Sequence, residues 1–185
     1  GGEILFVSHS ADPSEAVQKT NDYMTAYGDT DCIYATGEDY ITPAADVIKS
    51  RGITDCKIYG SNISPSVCQL IMDGQVEACT GGEFVCGSLA VTLLINYLDG
   101  NPIKDADGTA PYFDNLTQFM VTAENAEDFY EFLSDENLAT HTISDEEYQN
   151  LLVRNNPDVD YDYFYDFLTN YEENVYAKVE ANAAQ

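Results

Sequence analysis

The sequence predicts an α/β fold in which a parallel sheet is built from repeated strand–helix units. Two neighbouring segments carry the evidence, because each opens with Asp-Cys, continues as a short apolar strand and ends in a hydroxyl residue followed by proline. The first runs from Asp31 to Thr42-Pro43, and the second runs from Asp55 to Ser64-Pro65. A hydroxyl oxygen can cap a helix, and proline is tolerated at the first helical position. Successive strand–helix units are typical of a parallel sheet.

A third copy of the unit opens the chain. Here we predict a strand at Ile4–Val7 and a helix that begins at the Asp12-Pro13 cap, ends near Ala26 and is stopped by Gly28. The later elements follow from apolar periodicity and from glycine or proline stops. In chain order they are strands at 32–35, 56–59 and 76–80 with helices at 43–51, 65–72 and 84–98, then a strand at 116–122 and a helix at 123–133.

The helix at Phe84–Leu98 is apolar on nearly every face, so we expect it to be buried between layers or against a second body. From Ser134 the composition becomes acidic and aromatic, and Ser144 with Glu147 predicts a capping box. Apolar side chains from Tyr161 to Val179 recur on one stripe, which favours a packing helix over a binding aromatic surface. We therefore divide the chain into an α/β domain, 1–133, and a helical extension, 134–185.

The charge balance restricts the partners. The chain has 33 acidic and 7 basic residues, a net charge of −26, which makes nucleic acid and anionic membranes poor partners. No stretch approaches the roughly 18 apolar residues that span a bilayer. The chain begins Gly1-Gly2 without an initiator methionine or an apolar leader, so we expect a signal sequence or a longer preceding segment to be missing from it.

The five cysteines cannot all pair with one another, and no spacing matches CxxC or another zinc pattern. Cys32 and Cys56 occupy equivalent places in the repeat, so a bridge between neighbouring strands is one alternative. The favoured alternative is that they are buried apolar thiols.

Familiar catalytic and cofactor motifs are incomplete or absent in this sequence. Gly82–Ser88 has the glycine spacing of a phosphate-binding loop, but Ser88 stands where that motif needs lysine. The two histidines and the absence of GxSxG give no Ser/His/Asp site, and no segment has metal-ligand spacing. We therefore predict no cofactor and no metal. For an enzyme, only Glu38, Asp39 and His9 remain as acid/base groups.

In a parallel sheet of this kind, ligands bind beyond the carboxyl ends of the strands. Those ends are 8–13, 36–40, 61–63 and 81–83 in this sequence. Together they offer carboxylates, hydroxyls, an amide, a histidine and glycines. This set suits hydrogen bonding to a polar neutral or cationic ligand.

Residues 3 to about 122 resemble the C-terminal lobe of a type I periplasmic binding protein of the sugar-binding, ribose-binding-protein-like kind. The resemblance is carried, in order, by SHSADPSEA, IYATGEDYITPAADVIKSRGITDCKIYGSN, DGQVEACTGG and NYLDGNPI. It implies a Rossmann-like lobe that closes with a missing N-terminal lobe around a small solute. It also implies that 84–112 crosses toward that missing lobe, while 134–185 lies outside the resemblance.

The resemblance implies ligand contacts at each of the four strand ends. The residues concerned are Asp12, Pro13, Gly37, Glu38, Asn62, Gly82 and Glu83. Sugar binders usually carry an amide-and-acid pair where this chain has Gly37-Glu38, and a carboxylate where it has Asn62. The expected ligand is therefore a small polar metabolite, a sugar or sugar-like, rather than an ordinary pentose or hexose.

These inferences predict the solute-binding component of an ABC-type uptake system, which performs no chemistry and signals occupancy to a membrane permease. The expected location is outside the cytoplasm, in the periplasm or as a cell-surface lipoprotein. The alternatives are the effector-binding core of a transcription regulator, a doubly wound α/β enzyme and an interaction module built on the aromatic C-terminal helix. Without the first lobe, Phe84–Leu98 would lack its cover, so we also expect self-association or capture of a partner.

Overall fold

The computed structural model describes residues 2–135 and 142–184 of the chain. In these residues the elements are, in order, α1 (Pro13–Ala26), β1 (Cys32–Ala35), α2 (Glu38–Ser50), β2 (Lys57–Ser61), α3 (Pro65–Met72), β3 (Ala78–Gly81), α4 (Val85–Leu98), β4 (Phe119–Thr122), α5 (Ala126–Ser134), α6 (Asp145–Asn150), α7 (Tyr161–Thr169) and α8 (Tyr171–Ala183).

The four strands form one sheet in the order β1-β2-β3-β4. β1 pairs with β2 in parallel, with Cys32 opposite Lys57, and β2 pairs with β3 in parallel, with Tyr59 opposite Ala78. A helix separates each of these strands from the next in sequence, as parallel pairing requires. The predicted α/β fold of parallel strand–helix units is confirmed.

Two of the three predicted helix starts are confirmed together with their caps. The Asp12 side chain accepts a hydrogen bond from the Glu15 N–H at 2.9 Å, and the Ser64 hydroxyl accepts one from the Val67 N–H at 3.2 Å. In both helices proline follows the cap, where its missing N–H costs no hydrogen bond. α1 and α3 therefore start where the sequence predicts.

The predicted start of the second helix is wrong. α2 begins at Glu38 rather than at Pro43, so Thr42 is not a cap and Pro43 lies inside the helix. The earlier start brings Ile41 into the helix, and the structure buries this side chain completely. Pro43 is the sixth residue of α2, so its missing N–H removes one intrahelical hydrogen bond, while its side chain is buried in the core.

The predicted strand at Ile4–Val7 is also wrong, because residues 2–10 form no strand or helix. The run has the apolar, β-branched composition of a strand, but a strand also needs a neighbour to pair with. Ile4 and Val7 are 80% and 74% exposed, and Phe6 lies against Tyr23 of α1 with ring centroids 3.9 Å apart. The segment is thus attached to the helix by a ring contact instead of a hydrogen-bond ladder.

Cys32 and Cys56 project from opposite faces of the sheet. Cys32 lies opposite Lys57, so Cys56 projects from the other face; Cys56 is buried and Cys32 is exposed. All five cysteines are free thiols. Burial raises the pKa of the Cys56 thiol, and it raises that of Cys68 to about 12. Cys56 thus matches the favoured alternative of a buried thiol, whereas Cys32 does not.

The chain divides into two compact units. The first consists of Gly1–Thr80 and Met120–Tyr130 and contains α1 to α3 with most of the sheet. Its core joins the inner face of α2, with Ile41, Ala44 and Val47, to Ile58 of β2. This unit presents the carboxyl ends of β1 and β2.

The second unit consists of Gly81–Phe119 and Glu131–Gln185. In it α4 buries only one face, which includes Leu89, Thr92 and Asn96, contrary to the expected burial on all faces. The Asn96 amide donates to the Leu151 carbonyl and accepts from the Val153 N–H, each at 2.9 Å. These bonds attach α4 to the segment after α6.

The C-terminal helices confirm the predicted capping box and the predicted apolar stripe. The Ser144 hydroxyl accepts from the Glu147 N–H, while the Glu147 carboxylate accepts from the Ser144 N–H at 2.6 Å. The stripe is divided between two helices, α7 and α8, which meet at Asn170. Its buried members are Phe164, Leu168, Tyr171, Val175 and Val179. Within 2–135 and 142–184, no helix has the length and apolar character needed to cross a bilayer.

Candidate functional site

The loop before α1 is fixed in place by several hydrogen bonds. Glu15 accepts from the Ala11 N–H at 2.5 Å and pairs with Lys19 at 2.8 Å, and Lys19 also donates to the His9 carbonyl. Hydrogen bonds from Lys19 and from the Ala11 N–H hold the pKa of the Glu15 carboxyl below its ordinary value. The Tyr40 hydroxyl of α2 donates to the Ser10 carbonyl at 3.2 Å. This last bond ties the loop to the beginning of α2.

Asp12 and Pro13 stand at the end of this loop, and both side chains are exposed. The Asp12 carboxylate caps α1, which occupies one of its oxygens with the Glu15 N–H. Its second oxygen has room to accept a further hydrogen bond, since a carboxylate offers about four acceptor positions. The cap therefore leaves Asp12 able to contact a ligand.

Gly37 and Glu38 follow the carboxyl end of β1. Gly37 is the buried N-cap residue of α2, and its backbone φ of 170° is ordinary extended geometry. Glu38 is the first helical residue and is half-buried. A carboxylate at this position is stabilised by the positive end of the helix dipole.

The structure brings Pro13 and Glu38 to one cleft. Its volume is about 380 Å³, and its walls come from the first two turns of α1 and the first three turns of α2. The side chains that line it are Pro13, Ser14, Val17, Glu38, Asp39, Thr42, Pro43 and Asp46. Among these described residues three are carboxylates, two are hydroxyls and none is basic. The cleft can therefore accept several hydrogen bonds from a ligand rich in hydroxyl or amino groups.

Sequence reasoning missed three polar residues of this cleft, namely Ser14, Thr42 and Asp46. Glu38, Thr42 and Asp46 are spaced four residues apart, so they lie on one face of α2. The spacing was visible in the sequence, but the predicted helix start at Pro43 left Glu38 and Thr42 outside the helix. With the observed start at Glu38, the i, i+4, i+8 pattern identifies this polar face.

Asn62 directly follows β2 and has a backbone φ of 75°, which is the left-handed region. Among the described residues it is the one non-glycine position with positive φ. Asparagine adopts this conformation more readily than other residues with a side chain, and such positions cluster at functional sites. Its exposed amide follows the strand next to β1, at the same edge of the sheet as Gly37.

Gly82 and Glu83 belong to the second unit. Gly82 is buried with a φ of 122°, and a Cβ at this position would lie 3.0 Å from the Tyr171 ring, so only glycine fits without strain. Burial raises the pKa of the Tyr171 phenol, and the nearby Tyr148, Cys86 and Glu83 raise it further. Gly82 and Glu83 thus follow β3 and lie close to the buried Tyr171.

Metal binding has no support in the part of the chain that the structure describes, where no three His, Cys, Asp or Glu side chains are arranged to hold an ion. The three carboxylates of the cleft do not form such a group. Their arrangement along α2 suits hydrogen bonding to an organic solute.

A family of sequences described as the periplasmic binding protein domain matches residues 2–102, which is more than half of the chain. This match includes both helices that form the cleft. No curated protein matches the chain in sequence.

Several solved structures of similar fold are distant in sequence. One is a periplasmic sugar-binding protein from Pseudomonas fluorescens, with 17% identity and a TM-score of 0.59 over 82% of this chain and 45% of that protein. The arabinose ABC transporter's periplasmic binding protein from a Shewanella species has 20% identity and a TM-score of 0.55 over 70% and 43%. The Caulobacter myo-inositol binding protein has 17% identity and a TM-score of 0.51 over 63% and 39%. The chain spans less than half of each of these proteins.

Proposed function

Because the chain belongs to the periplasmic binding protein domain family, we propose that it binds a small polar solute, a sugar or sugar-like metabolite, and performs no chemistry on it. The observation that carries this proposal is the cleft at the starts of α1 and α2, which lies within the matched residues. Glu38, Thr42 and Asp46 accept hydrogen bonds from the solute, and Asp12 and Asn62 add contacts at neighbouring loops.

In the proposed mechanism the chain contributes one of two lobes that together bind the solute. The chain spans less than half of the solved structures that it resembles, which supports a second lobe of comparable size. In the proposed mechanism the solute binds the closed arrangement of the two lobes more tightly than the open one, and this difference in affinity shifts the equilibrium toward closure. Gly82 and Glu83, which follow β3, are proposed as further contacts.

The proposed setting is an ABC-type uptake system outside the cytoplasm, where the protein lies in the periplasm or is a cell-surface lipoprotein. A membrane permease then recognises the closed, occupied form. The family match supports this setting, and the net charge of −26 fits a protein that does not bind nucleic acid.

Thermal-shift screening against pentoses, hexoses, inositols and amino sugars tests the proposal, followed by calorimetry with whichever solute stabilises the protein. We expect Glu38→Gln to weaken binding at least about 10-fold, because a hydrogen bond to a charged acceptor is lost from the cleft. Asp22→Asn is the matched control, since Asp22 lies exposed on α1 outside the cleft and its substitution removes the same charge. Equal affinities for the two variants would place the solute elsewhere, and turnover of a substrate would indicate an enzyme.

A further inference from the structure

The second unit carries a stack of aromatic rings that the proposed solute site does not use. Phe113, in the segment before β4, lies 4.9 Å from Tyr161 of α7 between ring centroids, with the two rings 17° from parallel. Tyr161 in turn stacks with Tyr165 at 6.2 Å and 27°. We call these three rings the aromatic shelf. It lies outside the residues matched by the family, which end at 102.

Contacts with the core and with the backbone hold Phe113 and Tyr161 of the aromatic shelf in place. Phe113 also stacks on Phe164, a buried core residue, at 5.9 Å. The Tyr161 hydroxyl donates to the Tyr112 carbonyl at 3.2 Å, and the Asn115 amide donates to the Tyr165 carbonyl at 2.7 Å. A rigid surface loses little conformational entropy when a partner binds to it.

Part of the shelf faces solvent. Tyr165 is 41% exposed, and the adjoining Tyr112 is 73% exposed. Phe164 and Leu168 already supply the buried contacts of α7, so packing alone does not account for the outer tyrosines. The predicted packing stripe thus has an outer margin of tyrosines that remains available for contact.

Three carboxylates lie close enough to the shelf to act on the Tyr161 phenol. Burial raises the pKa of the Tyr161 phenol, and the carboxylates of Asp105, Asp114 and Asp162 raise it further. None of the salt bridges formed by the described residues involves these three aspartates. The face of an aromatic ring also attracts cations. A positively charged group at the shelf would therefore meet the outer face of Tyr165, which no other ring of the shelf covers, and carboxylates that form no salt bridge among the described residues.

We propose that the aromatic shelf binds an arginine side chain from a basic segment of a partner protein. Arginine fits better than lysine because its planar guanidinium stacks on a ring while its N–H groups reach carboxylates. A protein partner fits better than a small cation because the shelf is an open surface, whereas small ligands are usually enclosed in concave sites. The net charge of −26 favours the approach of a basic partner.

The probes are an acetylated tri-arginine peptide and its tri-lysine and tri-citrulline analogues, titrated while tyrosine resonances are followed by NMR. We expect the tri-arginine peptide to bind several-fold more tightly than the tri-lysine peptide, and the neutral citrulline peptide not to bind. Tyr161→Leu and, separately, Tyr165→Leu are each expected to weaken binding by about 3- to 10-fold. The second variant removes an outer ring whose loss leaves the core intact, and circular dichroism checks that both variants fold.

A charge-matched pair of variants separates the shelf from general attraction to an acidic protein. One replaces Asp105, Asp114 and Asp162 with asparagine, and the other replaces Asp22, Asp29 and Asp55, which are exposed in the first unit, in the same way. We expect only the first set to weaken tri-arginine binding by 10-fold or more. Equal weakening by both sets, absence of binding, or tighter binding of tetramethylammonium than of tri-arginine would overturn the proposal. Binding of solutes at the α1–α2 cleft is independent of all these outcomes.

Discussion

Gly60 lies within β2, at a place where the Ile41 side chain of α2 fills the space that a Cβ would need. A Cβ built there would lie 2.4 Å from Ile41 Cδ1 and 3.2 Å from the Ala35 carbonyl oxygen. Real atoms do not approach so closely, so α2 packs on the sheet at this distance only because residue 60 is glycine. The contact also positions Glu38, which lies less than one turn before Ile41 in the same helix.

We therefore expect Gly60→Ala to lower the free energy of unfolding by about 1–3 kcal/mol, because the added methyl group overpacks a filled core. Gly87→Ala is the matched control: nothing lies within 4 Å of its Cβ position in α4, so alanine there should be neutral or stabilise by up to about 1 kcal/mol. Chemical denaturation of both variants measures the difference. If both alanines had the same effect, close packing at Gly60 would not be the cause.

At the scale of elements, Glu147 joins α6 to α8. Its carboxylate accepts from Lys178 of α8 at 2.5 Å and from the Ser144 hydroxyl at 2.8 Å, while Lys178 also donates to the Thr142 carbonyl. Burial alone would raise the pKa of the Glu147 carboxyl, but the hydrogen bonds from Lys178 and Ser144 outweigh it and hold the pKa below its ordinary value. The ionised carboxylate is thus the form that the folded extension stabilises.

This lowered pKa predicts a stability difference that depends on pH. A group with a lowered pKa contributes stability above its unfolded pKa, near 4.5, and loses it as the pH falls through the folded value. Glu147→Gln should therefore destabilise the protein at pH 6 to 7, and the deficit should shrink steadily below about pH 4.5. Denaturation of the unmodified protein and of the Glu147→Gln variant at several pH values measures this stability deficit. A deficit that stays constant down to pH 3 would contradict a role for the charged form.

The elements also show what could be predicted from sequence. α1 and α3 were placed correctly because a cap oxygen and a proline act locally, within one turn of the helix start. α2 was misplaced because the same local signal at Thr42-Pro43 competes with the burial of Ile41, which depends on contact with Gly60 in another element. Local chemistry is visible in a sequence, whereas a contact between distant residues is not.

The dependence on contacts between distant residues also explains the remaining differences between the predicted and the observed structure. Ile4–Val7 has the composition of a strand, but whether it pairs depends on a neighbouring strand that composition does not reveal. Pro13 and Glu38, two of the residues that line the cleft, were named as ligand contacts from the sequence. Glu38 follows the end of β1, which a parallel sheet exposes, whereas Pro13 follows a segment that forms no strand. Thr42 and Asp46 were missed because they follow from the helix start and not from the strand end.

At the scale of the whole molecule, α4 presents its more apolar side to solvent. Val91, Leu94, Tyr97 and Leu98 are between 53% and 72% exposed, while the polar Thr92 and Asn96 are buried. The Asn96 amide bonds to two backbone groups, the Leu151 carbonyl and the Val153 N–H. These hydrogen bonds fix the inward orientation of the polar face. Exposed apolar faces of this kind are typical of surfaces that contact another protein or domain.

We therefore predict that the chain self-associates through the exposed face of α4 when no second lobe covers it. Sedimentation velocity should show reversible association that strengthens at high salt, because salt screens the repulsion between two copies of charge −26 while leaving apolar contact intact. Leu94→Gln with Leu98→Gln should weaken the association about 10-fold or more. Met72→Gln with Met120→Gln should not, since these exposed methionines lie on other elements of the first unit. A monodisperse monomer at high protein concentration and high salt would show that this face needs no cover.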